Sequence, residues 1–151
     1  HGVPISSFDV LAAYRRVLAS LGRSYGEGLF FQEALRAAQT EGWIRGTGVL
    51  KPERTLDNLI EQPLLAGYTV TDAFYNASLQ GCLDHDPALT TQLGYHAVLL
   101  IGKGRLDSLP GQFWVYHENS WSWKWGWNGI GVMNIDLHNR LCREVWSIDG
   151  G

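Results

Sequence analysis

Gly94-Tyr95-His96-Ala97-Val98, followed by Glu118-Asn119-Ser120-Trp121 and Trp125-Gly126, decides how this chain is read. A histidine acts as a general base only when one ring nitrogen faces the reacting group and a partner holds the other. A neutral asparagine oxygen can be that partner, because it accepts from the second nitrogen and fixes the tautomer. His96 opens a short apolar strand and Asn119 closes a later one. Adjacent antiparallel strands would bring imidazole and carboxamide within hydrogen-bond reach. Trp121 would then shield that bond from water, with Trp125 supporting it from below. The stretch supplies a base and its orienting partner but no nucleophile.

Upstream of it, helical period dominates. Phe8, Leu11, Tyr14, Val17, Leu18 and Leu21 recur at three- and four-residue steps, predicting a helix from Ser7 to Leu21. Ser6 or Ser7 caps it, Asp9 suits its first turn and Gly22 ends it. Tyr25-Gly26-Glu27-Gly28 reads as a turn. A second helix from Phe30 to Thr40 places Phe31, Ala34, Leu35 and Ala38 on one stripe and stops at Gly42. Thr55 to Gln62 predicts a short third helix, capped by Thr55 and halted before Pro63. Beyond Pro63 the texture turns to strands over Leu64 to Val70, His96 to Ile101, Gln112 to His117 and Ile130 to Leu137. Residues 79 to 93 read as a polar loop and 102 to 111 as a Gly/Pro turn region. Helices first and an antiparallel sheet after is an α+β order, and no repeat or linker divides residues 1–151 into more than one domain.

The 151 residues suffice for one buried core. A net charge of -3 points to neither a nucleic-acid partner nor an anionic membrane, and no apolar run approaches the roughly 20 residues that span a bilayer. The chain opens on His1 rather than Met, which reads as a processed or truncated start without a signal peptide. Asn76-Ala77-Ser78 is a glycosylation acceptor sequence, so a secreted or luminal compartment is expected. Cys82 and Cys142 are too few for a disulfide scaffold and enough for one bridge. His85 between Asp84 and Asp86 lacks the spacing of a metal site, and neither a metal nor a cofactor is expected. Of Trp114, Trp121, Trp123, Trp125 and Trp127, two or three belong in a core and Trp123 outside it. The other reading of that cluster is a stacking platform for sugars.

Tyr95-His96-Ala97-Val98-Leu99-Leu100-Ile101-Gly102, Phe113-Trp114-Val115, Asn119-Ser120-Trp121 and Trp125-Gly126-Trp127-Asn128-Gly129 together resemble the papain-like cysteine peptidases. Tyr25-Gly26-Glu27-Gly28 with Ala34-Leu35 resembles that family's glycine loop and following helix, and Gln62-Pro63-Leu64 the segment entering its barrel domain. The resemblance spans about residues 24 to 150. It implies a papain-like α+β fold, with N-terminal helices packed on an antiparallel β-sheet or half-barrel. His96 and Asn119 are then catalytic, and Gly26 and Gly28 pair with a peptide backbone. Ala66, Gly67 and Ala97 shape an apolar side-chain pocket, with Trp121 beside the base. A disulfide between Cys142 and Cys82 and a structural role for Trp125 are also implied.

The family's Gln-Gly and Cys-Trp at a helix start have no counterpart here, since no cysteine precedes Cys82. Either Ile5 to Leu11 corresponds to a later helix of the family and the nucleophile helix lies upstream of His1, or Ser7 stands in the cysteine's place. The second requires deleting roughly 20 residues between packed elements, so the first is preferred and Ser7 is left as an N-cap. The expected activity is thiol acyl transfer on peptide or amide bonds, with the cysteine supplied by an upstream segment or a second chain. The rivals are a pseudo-peptidase that binds peptides or proteins without cleaving them, and a Trp-lined glycan-binding module. Hydrolysis, transamidation and deamidation share one acyl-enzyme and are all open to such a site.

Overall fold

Ser6 and Asp9 cap each other at the start of the first helix, α1 (Ser7–Ser20). Asp9 N–H donates to Ser6 Oγ at 3.2 Å and Ser6 N–H to Asp9 Oδ2 at 3.0 Å, which satisfies two otherwise orphaned donors. The second helix, α2 (Phe31–Thr40), opens with Phe30 N–H on Glu33 Oε2 at 2.8 Å. Both helices end on a left-handed glycine, Gly22 at φ +67° and Gly42 at φ +73°, where the sequence predicts the stops. The computed structural model describes residues 4–59, 61–71, 74, 82–83, 92–107 and 109–150, with 82, 83, 106, 109 and 110 described through the backbone alone.

The chain forms two compact units, residues 1–47 with 148–151, and residues 48–147. In the first, Arg23 forks onto Glu33 with contacts of 2.7 and 2.9 Å. The apolar stripe expected on α1 is only partly covered. Ala13 and Leu18 are buried, whereas Phe8 is 74% and Leu21 43% exposed. Within that unit, α2 is the one other described helix.

The sheet runs in the order β1-β7-β2-β4-β5-β6-β3. Its strands are β1 (Ile44–Leu50), β2 (Leu64–Thr71), β3 (Cys82–Leu83), β4 (Gln92–Leu106), β5 (Leu109–Glu118), β6 (Ile130–Asn134) and β7 (Cys142–Gly150). The β2–β4, β2–β7, β4–β5 and β5–β6 ladders are antiparallel, while β3 joins β6 in parallel. With the helices, this is an α+β fold. Leu64, Ala66, Tyr68, Val98, Leu100, Val115, Met133 and Val145 form one core, completed by Leu137 and Leu141 of the helix α4 (Ile135–Leu141). Alternation along each strand places these residues on one face.

Several local expectations give way to tertiary pairing. The helix expected from Thr55 to Gln62 is α3 (Thr55–Asn58), preceded by a 3-10 turn over Pro52–Arg54. Thr55 does not cap it; its buried hydroxyl lies 3.0 Å from Nε2 of His138. The strand expected to reach Leu137 stops at Asn134, whose Oδ1 accepts from Asp136 N–H at 2.7 Å and so caps α4. The turn expected over 102 to 111 is mostly ladder, because Gly102 pairs with Tyr116 and Gly104 with Trp114.

The implied disulfide is not formed: Cys142 is a buried free thiol, its Sγ 3.5 Å from Glu144 O. It opens β7, and the strands β2, β4, β5 and β6 stand between β7 and the β3 of Cys82 in the sheet order. A bridge needs Cα atoms within about 7 Å. Asn76-Ala77-Ser78 and Asp84-His85-Asp86 lie outside the described residues.

Candidate active site

His96 lies within β4 rather than at its start, opposite Tyr68 of β2. Asn119 follows the last residue of β5, Glu118, which pairs with Leu99. The two strands are neighbours, and the chain turns sharply after β5. Asn119 N–H donates to Gly129 O at 2.9 Å, and Trp127 and Ile130 exchange backbone bonds of 2.8 and 3.0 Å. Asn128 at φ 54° and Gly129 at φ 86° form the tight turn between them, the Asn-Gly pair being suited to left-handed backbone. That turn holds Asn119 facing β4.

The result is a hydrogen bond of 2.7 Å between His96 Nε2 and Asn119 Oδ1. Trp121 N–H also donates to Oδ1, at 3.3 Å. A backbone donor on that atom fixes which end of the amide is oxygen. Nε2 must therefore carry the proton it gives to Asn119, and Nδ1 keeps its lone pair. The Trp121 ring lies over the imidazole, with centroids 4.6 Å apart and planes inclined by 35°. Behind it, Phe74 stacks on Trp125 at 5.7 Å, and Trp125 Nε1 donates to Phe74 O at 3.2 Å. Burial under this aromatic cover lowers the pKa of His96, against the opposing effect of its bond to Asn119. At neutral pH it is thus a neutral, oriented base.

The other expected residues are distributed as follows. Gly67 lies directly opposite Ala97 on the outer face of the sheet. Ala66 is turned away from them, 0% exposed and opposite Val98 in the core, so it does not line a pocket with Gly67 and Ala97. Gly26 and Gly28 belong to the first unit, in the exposed loop between α1 and α2. That loop is tied down by Tyr14 Oη, which donates to Glu27 O at 2.6 Å and accepts from Gly26 N–H at 3.2 Å. Trp125 is buried, and Trp123 is 71% exposed, as expected. Trp127 joins it outside at 70%.

Two buried histidines were not anticipated from the sequence. His138 is fully buried, with Nδ1 2.5 Å from Tyr68 Oη and Nε2 3.3 Å from Pro52 O. A carbonyl only accepts, so Nε2 carries the proton and Tyr68 donates to Nδ1. His117 is also fully buried, caged by Tyr68, Phe74 and Trp125 at ring-centroid distances of 6.3, 5.8 and 5.4 Å. Among the described residues, neither of its nitrogens has a hydrogen-bond partner. Burial pushes the pKa of His117 down to about 3 and that of His138 down to about 4. The alternation Phe113, Val115, His117 was the available signal, since it puts His117 on the face of the buried Val115.

Cys142 cannot serve as a nucleophile in this arrangement. Burial pushes its thiol up to about 12, and the reactive form is the thiolate. Among the described residues no cluster of His, Cys, Asp or Glu could hold a metal ion.

A mixed α+β sheet protein with a histidine–carboxamide pair under a tryptophan is the class these features define. Residues 33–144 match the family described as "Papain family cysteine protease". The chain belongs to the papain family of cysteine proteases. No curated protein sequence matches it significantly. Among solved structures it is similar to the bromelain protease of Ananas comosus in complex with the E64 inhibitor, with a TM-score of 0.53 and 20% identity over 72% of this chain and 51% of that one. It is likewise similar to digestive procathepsin L2 proteinase from the larval midgut of Tenebrio molitor, at TM-score 0.56 and 22% identity over 70% of this chain and 34% of that one. The proform of the ragweed pollen allergen Amb a 11, a cysteine protease, gives 0.57 and 16% over 72% and 30%. At such identities the likeness speaks for the fold. The chain spans about half the length of that bromelain chain and less of the other two.

Proposed function

We propose that this chain supplies the histidine–asparagine half of a cysteine peptidase site, with the nucleophilic cysteine carried by a segment outside residues 1–151 or by a second chain. The observation that carries this reading is the 2.7 Å bond from His96 to Asn119 beneath Trp121, with Nδ1 left as the acceptor. In this reading Nδ1 takes the thiol proton, giving a thiolate–imidazolium pair. The thiolate attacks a peptide carbonyl carbon, and the collapsing tetrahedral intermediate expels the amine, which takes the proton from Nδ1. Water, deprotonated by the same nitrogen, then releases the acid and restores the thiol. Another amine in place of water makes the reaction a transamidation. Gly26 and Gly28 offer exposed backbone to an extended peptide. A secreted or luminal setting is part of the proposal and rests on the Asn76-Ala77-Ser78 acceptor sequence.

A peptide-binding protein without turnover is the second reading, favoured by the burial and raised pKa of Cys142. Cysteine-directed alkylation of the natively isolated protein, followed by intact mass measurement, separates the two. A modified cysteine on a co-purifying polypeptide or an upstream segment, with loss of peptidase activity, supports the peptidase. His96→Ala is expected to abolish activity and leave the fold unchanged; turnover retained in that variant overturns the catalytic assignment. A lone chain with no reactive thiol makes it a binding protein.

A further inference from the structure

β4 carries an extra residue at Ile101: Leu100 pairs with His117 and Gly102 with Tyr116, so Ile101 stands unpaired in a bulge. Beyond it Gly102, Tyr116 and Val132 are paired in one row across β4, β5 and β6. Val115 and Met133 beside them are buried in the core, which puts this row on the outer face of the sheet. Glu118, Ile130 and Trp127 make the next row of that face, because Ile130 pairs with Glu118 on one side and with Trp127 on the other. Both rows border a cavity of about 260 Å³. Its floor is bare at Gly102, where a Cβ would meet no atom within 4 Å. Tyr116 lies flat over Gly104, its hydroxyl 3.1 Å from where a Cβ would stand, so a side chain at Gly104 would push the ring up into that space.

Ile101, Ile130 and Val132 give this cavity walls without a hydrogen-bonding side chain, and the Trp127 indole, 70% exposed, stands at its mouth. Across Ile130 from that indole is the exposed Glu118 carboxylate, which forms no ion pair among the described residues. A cation held between the two is attracted by the face of the indole and by the charge of the carboxylate. A primary ammonium or a guanidinium would bring several N–H donors to aliphatic walls that accept none, and leaving them unpaired is costly. A quaternary ammonium has no N–H to satisfy. The volume lies below the ~300–1,000 Å³ of sites for drug-sized ligands, so it admits a compact head group. We infer that this cavity binds the trimethylammonium group of a small choline-type compound, seated over Ile130 between Trp127 and Glu118. His117 and Asn119 turn inward from β5 where Glu118 turns outward, so the site shares no side chain with the His96–Asn119 pair and is independent of the peptidase reading.

The test is an NMR titration of the 15N-labelled chain with three probes: choline, its neutral isostere carrying a tert-butyl group in place of the trimethylammonium, and ethanolamine. Choline is expected to bind about tenfold more tightly than either, and to shift the Trp127 indole N–H and Gly102 amide signals. Trp127→Leu and Glu118→Gln, both at exposed positions, should each bring choline down to the level of the isostere. Gly102→Val, which fills the floor, should stop all three probes from binding, whereas Trp123→Leu should change nothing. Equal affinities for choline and either other probe, a preference that survives Glu118→Gln or Trp127→Leu, or no shift at Trp127 overturns the inference. Binding to phosphatidylcholine vesicles without any response to free choline overturns it as well, since the partner would then be a membrane surface.

Discussion

Gly131 and His117 face each other across the β5–β6 ladder at the limit of contact: a Cβ on Gly131 would lie 2.8 Å from Nε2 of His117 and 2.6 Å from Cη2 of Trp125. The glycine makes room for a full imidazole in a core that would otherwise hold a smaller side chain. Gly131→Ala should therefore destabilise the fold by about 1–3 kcal/mol through overpacking. Urea denaturation of the two proteins measures it, and unchanged midpoints would show that the cage is looser than these distances.

His117 and His138 are buried neutral, with pKa values lowered from 6.5 to about 3 and about 4. The unfolded chain takes up protons below pH 6.5 that the folded chain refuses, so stability is full above that pH and falls as pH drops towards 4 and 3. Near pH 4.5 each histidine costs roughly 2–3 kcal/mol of stability. The groups around His117 are Tyr68, Phe74 and Trp125, with His138 and His96 repelling its charged form. His117→Leu is expected to flatten the slope of Tm against pH between 6.5 and 4, which thermal melts at constant ionic strength would show. A parallel drop in wild type and variant would mean that His117 is not buried neutral.

Asn119 fixes the proton of His96 on Nε2, so its removal should release the tautomer. Imidazole 15N shifts of the native chain are expected to show a single Nε2–H form at neutral pH, and those of Asn119→Ala a mixture. The variant also removes the Oδ1 that accepts from Trp121 N–H. An unchanged tautomer in the variant would transfer the orienting role to another group.

Cys142 should resist alkylation in the folded protein and react on unfolding, given its burial and its thiol pushed up to about 12. Non-reducing peptide mapping after native iodoacetamide treatment reads this directly. Recovery of a Cys82–Cys142 disulfide peptide would contradict the free thiol.

The features legible in the sequence are those written in local pattern. Ser6 and Asp9, Gly22 and Gly42 announce the helix ends because capping is a matter of a few neighbouring residues. His96 and Asn119 were legible through the His96-Ala97-Val98 and Asn119-Ser120-Trp121 stretches, short motifs that resemble the family's. What escaped depends on partners distant in the chain. Asn134 looks like one more strand residue until Asp136 N–H is seen to turn back onto it. Glu144 meets Gly67 only through the β2–β7 register, which no local pattern records. Thr55 reads as an N-cap, but its hydroxyl is taken by His138, 83 residues away. Buried polar groups are placed by such long-range satisfaction and not by period.

One strand, β4, carries His96 and Ala97 side by side in sequence and on opposite faces of the sheet. The two-residue period of extended chain thereby turns neighbouring residues to opposite sides, the imidazole towards Asn119 and the Ala97 methyl to the exposed face. Replacing Ala97 alters the exposed face without moving the imidazole. Inserting or deleting a single residue in that strand exchanges the two faces and ruins both at once.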